Sequence, residues 1–582
     1  MADKILGRVV EGSVNEGIRI QLAEDEDIED YPCGSLVSIE GVRGEYLGII
    51  TDAGIDVERS FLGKLPPLHG SELDRVMDVI KEWCRREWLE VALLAEKRGS
   101  AISVANTMPN FNSKLIPPTQ QSLTDFFVGP TEMETTTYPV GEPYVPKAKA
   151  IEIPIAVDRL TELSFGIFGK SGTGKTFLGN ILAGYLLRYA LERDENLRLL
   201  IFDMHSEYGL ELKDSYGRPL ARGVGQIFRD YFDIYTPDLD EAQRRGLKPL
   251  KLNLNHITPS DIYVLAPIFQ LTDTFLQHLK TIYSVIGKKV GLGEYWIWGL
   301  LYDSIDDDRF LTDEEKEDLK KKLISLAKKN FDDISSINDL GARIGGLFDT
   351  SIFSSYSSQR SKLRRLLEIP HTVELYGKKE DSIKEIVNKI TSRSGSHVII
   401  SLGAYERNLP LYMSIANLLA RQLRQTLLMK VQSGGEPETK IIIFLEEAHN
   451  FLGRGSYHLS PFGAIAREMR KRGVTLCVID QKPGELDPDV VSMIWTFFTF
   501  TLTDRKDIDT AMVAISNPKL FSKIVPLLSK RDVLMYGEAV RFSVVVRVKD
   551  YKDVEKQLSE FVGRHRDEVA ERERELRESG LL

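Results

Sequence analysis

Hydrophobic positions along the chain follow two regimes. Up to about residue 150 they come as short runs, Ile5–Val10, Ile18–Leu22, Leu36–Ile39 and Tyr46–Thr51, separated by Gly, Asp, Asn and Glu. That spacing predicts the strands of a small β-barrel. An amphipathic pattern from Ser71 to about Lys97 predicts a helix, and the polar, Pro- and Thr-rich stretch from Asn106 to Pro146 predicts loop with one or two further strands. From Ile151 the pattern becomes apolar strands alternating with long helices, the signature of an α/β fold with a parallel sheet. Strands are expected at Ser164–Phe168, Leu197–Phe202, Val398–Leu402, Lys440–Leu445, Val474–Ile479, Phe497–Leu502, Val533–Met535 and Phe542–Val548. Helices are expected from Lys175 to about Leu191 and from about Leu409 to Met429. Between Asp238 and Arg393 the sequence is mostly helical and includes the charged run Asp313–Lys329, read as an insertion within the α/β domain.

The expected organisation is a barrel-type assembly or stability domain with linker (1–150), a first α/β part (151–237), the helical insertion (238–393), a second α/β part (394–549) and a charged helix (550–582). That last segment interleaves ten acidic with seven basic residues at helical spacing.

Composition narrows the function. With 582 residues and 42% of them hydrophobic there is material for several cores, and an intrinsically disordered chain is excluded. The net charge of −10 supplies no global field to attract phosphate, so any nucleic-acid site must be local. The three cysteines, Cys33, Cys84 and Cys477, form no CxxC pair, which fits a reducing cytoplasm better than a disulfide scaffold. The longest uncharged apolar stretch, Val490–Thr503, is too short to span a bilayer, so no membrane association is expected.

The sharpest motif is Gly169-Lys170-Ser171-Gly172-Thr173-Gly174-Lys175-Thr176, which satisfies G-x-x-x-x-G-K-[ST] between an apolar strand and an amphipathic helix. Its glycines let backbone N–H groups turn toward phosphates, and the new helix presents its positive end to them. Lys175 would reach the β- and γ-phosphates of ATP, and the Thr176 hydroxyl would bind Mg2+. A second strand, Ile441–Leu445, ends in Glu446-Glu447. Glu446 is placed to hold magnesium, and Glu447 to act as general base on the attacking water.

Three further features leave two readings each. Gln481, after the Val474–Ile479 strand, is either a γ-phosphate sensor or a turn residue before Lys482-Pro483-Gly484. Arg467, Arg470 and Lys471 share one face if residues 464–473 are helical. They are either an arginine finger for a neighbouring subunit or a basic helix end complementing the dipole. Asp203, His205 and Glu207 either form a mixed metal site or are simply the polar end of a strand.

Together the P-loop, Asp203-Met204-His205-Ser206-Glu207-Tyr208, Glu446-Glu447-Ala448-His449-Asn450-Phe451, the Arg467-Glu468-Met469-Arg470-Lys471 segment and Gly537-Glu538-Ala539 resemble the HerA–FtsK superfamily of ring ATPases. HerA-like proteins are the most similar branch. The N-terminal module resembles their HAS barrel, with Ile116-Pro117-Pro118 near its end. The resemblance implies a RecA-like P-loop core, a homo-hexamer with ATP sites between subunits, and double-stranded DNA in a central channel. It also implies work with a NurA-like nuclease or another effector protein, in DNA end processing or phage defence. It carries roles over to Lys175, Thr176, Glu446, Glu447 and Gln481, and the arginine finger to Arg470 or Arg472. Two departures mark a divergent member: Asp480-Gln481-Lys482-Pro483 stands for Ser/Thr-Gln-Arg-Pro, and Met469-Arg470-Lys471 for Gly-Arg-Lys.

The expected function is therefore an ATP-dependent duplex-DNA translocase or helicase. The alternatives are an ATPase scaffold that assembles and regulates an effector enzyme, and a coupling ATPase for conjugation or secretion.

Overall fold

The computed structural model describes residues 4–57, 85–129, 135–213, 217–307, 311–366, 382–434, 439–455 and 457–578. The chain divides into two compact units, residues 1–189 with 477–556, and residues 190–476 with 557–582.

The first unit begins with β1 (Gly7–Ser13), β2 (Gly17–Leu22), β3 (Leu36–Glu40), β4 (Glu45–Val57), β5 (Arg85–Arg98), β6 (Ala101–Val104) and β7 (Lys114–Ile116). They run antiparallel in the order β2-β1-β7-β3-β4-β5, and pairing of β2 with β5 closes a six-stranded barrel. Closure leaves the six strands no free edge. Alternation along the strands sends Val9, Ile18, Ile20, Ile39, Leu89, Val91 and Leu115 into one buried cluster.

One expectation fails here. Residues 85–97, expected to be helical, lie in β5, while the first part of that expected helix, up to residue 84, lies outside the described residues. Glu, Leu and Ala favour a helix locally, but Leu89 and Val91 alternate into the barrel core and β5 pairs with β2 and β4 at once. Tertiary pairing outweighs propensity differences of a few tenths of a kcal/mol per residue.

The remaining strands are, in chain order, β8 (Thr137–Pro143), β9 (Ile153–Ala156), β10 (Phe165–Phe168), β11 (Leu197–Asp203), β12 (Glu211–Lys213), β13 (Pro219–Arg222), β14 (Phe232–Thr236), β15 (Lys248–Pro249), β16 (His397–Ser401), β17 (Lys440–Leu445), β18 (Val474–Asp480), β19 (Thr496–Thr499), β20 (Asp532–Gly537) and β21 (Val544–Val548). Within the first unit β10 is parallel to Cys477–Asp480 of β18 on one side and to β19 on the other. Beyond β19 the strands β20, β21, β8 and β9 follow, each antiparallel to its neighbour. The alternation of strands and helices predicts a parallel sheet, and these strands depart from it. The link between β20 and β21 is too short for the crossover that parallel strands require.

Within the second unit β15, β14, β16, β11 and β17 lie side by side in that order, and every pair is parallel. Ile441–Leu445 of β17 are wholly buried, as the unbroken apolar run requires of a strand covered on both faces. Between β15 and β16 the described residues are mostly helical and include Pro259–Phe269, Asp273–Ser284, Asp313–Ala327, Ile337–Gly346, Thr350–Leu363 and Ser382–Thr391. Thr312 with Glu315 and Ser336 with Asp339 form capping boxes at two of these starts. Each such cap stabilises its helix by about 1 kcal/mol. Trp296 and Trp298 are buried among these helices, and the Trp296 indole donates to the Ile257 carbonyl at 2.7 Å. The charged tail forms one helix, Tyr551–Glu578.

The fold class is α/β, a RecA-like P-loop core carrying an N-terminal β-barrel.

Candidate active site

In the first unit β10 ends at Phe168 and, after six intervening residues, the helix Lys175–Arg193 starts. The intervening loop turns through φ values of 148° at Gly169, 75° at Gly172 and 127° at Gly174, conformations that L side chains rarely adopt. At Gly169 space is missing as well, because an added Cβ would lie 2.5 Å from the Phe500 Cβ. The loop is pinned on both flanks. The Gly169 N–H donates to the Asp480 carbonyl at 3.3 Å, and the Lys170 N–H to the Thr501 carbonyl at 3.1 Å. At its far end the Arg531 N–H donates to the Thr173 carbonyl at 2.9 Å.

Lys175 curls back over the loop, its Nζ donating to the carbonyls of Gly169 at 2.6 Å and Lys170 at 3.0 Å. Thr173 Oγ1 donates to the Lys170 carbonyl at 2.8 Å. Ser171 and Gly172 form the exposed crown, and Thr176 is half-buried in the first helical turn. An ammonium, glycines whose backbone has no side chain in front of it, and a helix N-terminus together suit a polyphosphate.

Gln481 follows directly on β18, whose Asp480 is the register partner of Phe168. The unit therefore brings Gln481 to the same strand end as the P-loop. The Asp480 carboxylate is occupied locally, accepting from the Lys482 N–H at 2.8 Å.

In the second unit β17 delivers Glu446 and Glu447 at its C-terminal end, where they differ sharply. Glu446 is 5% exposed and accepts from the Met204 N–H at 3.0 Å. Burial, then the neighbouring Asp203 and Glu207 charges, push its carboxyl well above the usual carboxylate range. A buried oxygen donor of this kind suits a hard divalent cation such as Mg2+. Glu447 is half-buried and takes a left-handed backbone conformation, φ 47°. Asn450 fixes it there, donating to the Glu447 carbonyl from its N–H and from Nδ2, each at 3.0 Å. Non-glycine residues held in this region cost about 1–3 kcal/mol and cluster at functional sites.

Asp203, His205 and Glu207 prove to be a turn. Asp203 Oδ1 accepts from the Glu207 N–H at 2.9 Å, and Oδ2 from the N–H groups of Tyr208 at 3.0 Å and Gly209 at 2.7 Å. Burial nevertheless pushes Asp203 up to about 7. His205 is exposed, and among the described residues these three do not gather as a ligand set. By setting this turn Asp203 aims the Met204 N–H at Glu446, a positioning role that sequence reasoning missed. The signal was the Asp-x-His-x-Glu-Tyr run itself, read for its ligand atoms rather than its backbone. Tyr412 was also missed; its hydroxyl donates to the Glu446 carbonyl at 2.9 Å from within the helix Leu409–Gln432.

The arginine segment is not one helix. The α-helix Pro461–Glu468 stops at buried Met469, and Arg470–Arg472 form a 3-10 turn ended by Gly473 at φ 75°. Arg467 lies over the Tyr457 ring at 4.7 Å, Arg470 and Lys471 are exposed, and Arg472 is half-buried.

The loop at 169–176 has the residue types and backbone of a phosphate-binding P-loop. The family model described as the central domain of helicase HerA matches residues 138–423. That match covers just under half of the chain and marks residues 138–423 as similar to the central domain of HerA-type helicases. The chain is similar to the DNA double-strand break repair helicase HerA of Pyrococcus furiosus, 30% identical over 117 residues, which are 20% of this chain and 21% of the relative. The HerA of Saccharolobus solfataricus is 31% identical over 113 residues, 19% of this chain and 22% of that one. The match thus spans about a fifth of the length of these curated relatives. Among solved structures, the bacterial conjugative coupling protein TrwB is 13% identical with a TM-score of 0.38, covering 72% of this chain and 95% of that one. That likeness is too distant to bear on function. Among the described residues no helix is long and apolar enough to cross a membrane.

Proposed function

We propose that the chain hydrolyses ATP to move along double-stranded DNA as a homo-hexameric ring, acting with a nuclease or another effector protein. The observation that carries this reading is the loop at 169–176, with Lys175 drawn over glycines that leave no side chain before the backbone. The matched HerA relatives, named as DNA repair helicases, supply the substrate class.

The loop residues Gly169, Lys170, Ser171, Gly172, Thr173, Gly174 and Lys175 would cradle the phosphates of ATP. Thr176 and Glu446 would hold Mg2+. The ion supplies charge neutralisation on the phosphate oxygens. Lys175 exchanges its two loop carbonyls for phosphate oxygens, which moves a positive charge onto the group being transferred. Glu447 accepts the proton of the attacking water, and its fixed backbone keeps the carboxylate aimed. Gln481, at the strand end beside the P-loop, donates to the γ-phosphate as sensor. Arg470, being exposed, acts as the finger toward a neighbouring subunit in preference to Arg472.

The test is ATP turnover by the full-length protein with and without duplex DNA, paired with displacement of a protein roadblock from the duplex. Turnover that no form of DNA stimulates removes translocation and leaves the scaffold reading.

A further inference from the structure

The helical part of the second unit carries a charged surface that the nucleotide chemistry does not use. The helix Asp313–Ala327 is strongly polarised. Asp313, Glu314, Glu315, Glu317 and Asp318 occupy its first turns, whereas Lys320, Lys321 and Lys322 precede its end and Lys328 and Lys329 follow it. Its buried face is Lys316, Leu319, Leu323 and Ala327, which leaves Lys321, Lys322, Lys328 and Lys329 exposed.

A second basic pair converges on the same place. Lys288 and Lys289 close the π-turn Val285–Lys289, and Asn330 Nδ2 donates to the Lys289 carbonyl at 3.3 Å, beside Lys328 and Lys329. Lys322 Nζ lies 5.9 Å from the centre of the Tyr295 ring, in the segment that follows the π-turn. Lys288 and Lys289 are exposed, and among the described residues none of these six lysines is engaged in an ion pair, whereas Lys316 and Lys320 both are. The acidic groups near them in sequence are Glu294 and Asp332, both exposed, and, one helical turn before Lys321 and Lys322, exposed Glu317 and Asp318; Glu317 pairs with Lys320, and Asp333 with Arg343.

The helix dipole accounts for Lys328 and Lys329 but not for the whole cluster. It favours cations only within the last turn, and Lys321 and Lys322 stand more than a turn before Ala327. Gathering like charges instead opposes folding, by a few tenths of a kcal/mol per neighbouring pair. Residues seven apart lie on nearly the same helix face, about 10.5 Å apart. Lys328 caps the helix with helical backbone angles, so it continues the row begun by Lys321. Lys322 with Lys329, in the turn just beyond the cap, makes a second, less regular row. A linear polyanion satisfies both rows at once, as a single carboxylate or phosphate cannot. Duplex DNA carries one charge per about 1.7 Å of its axis.

We infer that the lysine rows Lys321/Lys328 and Lys322/Lys329, with Lys288 and Lys289, form a contact surface for the phosphate backbone of double-stranded DNA. The inference rests on the DNA reading given above and adds where part of the contact lies. In a chain with net charge −10 this is a local positive field. Backbone contacts of this type fix position and affinity without reading sequence.

The test uses the full-length protein and its Lys321→Gln/Lys322→Gln/Lys328→Gln/Lys329→Gln variant, with duplex affinity measured by fluorescence anisotropy across a salt series. Each lost phosphate contact flattens the slope of log K against log salt by about 0.9, so four should flatten it by about 3.6 and weaken binding at least ~10-fold at low salt. DNA-free ATP turnover should not change, and the matching Lys→Arg variant should keep the wild-type slope. Equal slopes and affinities for wild type and the Gln variant overturn the inference while leaving the DNA reading intact. A wild-type protein that binds no duplex overturns both. Binding to phosphatidylserine vesicles that depends on these lysines, with no effect on duplex, also overturns the inference.

Discussion

The two strand ends that carry the candidate chemistry are built by opposite means. At the end of β10 the chain gives up side chains. Three glycines with positive φ bend the loop, and a lysine is held by the loop's own carbonyls. At the end of β17 the chain buries side chains instead. Glu446 is taken out of water against Asp203, and Glu447 is forced into a conformation that glycine would adopt without cost. The first site is stable where it is strained in appearance, since glycine tolerates those angles. The second stores real cost in side-chain identity. A phosphate cradle needs backbone and one charge, whereas a general base needs a carboxylate fixed in direction, and direction is what costs stability.

That contrast makes separable predictions. Glu447→Gln should lower ATP turnover by about 10²–10⁴-fold while nucleotide binding persists, measured by steady-state hydrolysis beside a fluorescent-nucleotide titration. Lys175→Ala should lower turnover by at least ~10²-fold and, unlike the first change, lose nucleotide affinity. Retained affinity in that variant would break the division between a binding end and a reacting end.

Stability should move in opposite directions at the two ends. Gly169→Ala places a Cβ 2.5 Å from Phe500 Cβ at an unfavourable φ and should cost about 1–3 kcal/mol in urea unfolding. Glu447→Gly relieves the left-handed backbone at φ 47° and should stabilise the protein by about 1 kcal/mol even as it abolishes turnover. Destabilisation by Glu447→Gly would show that the conformation is not strained.

The smallest effect concerns His397 on β16, whose Nδ1 accepts from the Leu199 N–H at 3.1 Å. Burial, and then the charge of Arg198, hold its pKa down at about 3. The folded state therefore keeps the imidazole neutral, while the unfolded chain protonates it below about 6.5. Its contribution to stability is fully present above pH ~6.5 and is lost as pH falls from there toward about 3. Thermal melts across that range should fall less steeply for His397→Gln, after allowing for its lost hydrogen bond. An unchanged pH slope would show that His397 is protonated in the fold.

Much of this was legible in the sequence, for reasons that particular residues make clear. Ile441–Leu445 and Leu199–Phe202 are unbroken apolar runs, which only doubly covered strands need, and the strands that hold them appear within a residue of their expected places. The P-loop was legible because its chemistry lives in fixed residue types. What remained hidden depends on contacts distant in sequence. β5 looks helical until β2 and β4 are beside it. The arginine segment looks helical until Met469 is buried and Gly473 turns the chain. Asp203 looks like a ligand until its carboxylate is seen accepting three backbone N–H groups. No local pattern announces that Glu447 sits at positive φ, because glutamate is not a residue that selects that conformation.

The most direct test of the motor reading is the rate of ATP hydrolysis by full-length wild-type protein and by Glu447→Gln, with and without duplex DNA of increasing length. Translocation driven by the two strand ends predicts stimulation that rises with duplex length in the wild type, and in the variant turnover at least ~10²-fold lower that duplex length does not raise. Wild-type turnover that is indifferent to DNA at every length, or stimulation that survives Glu447→Gln, would contradict it.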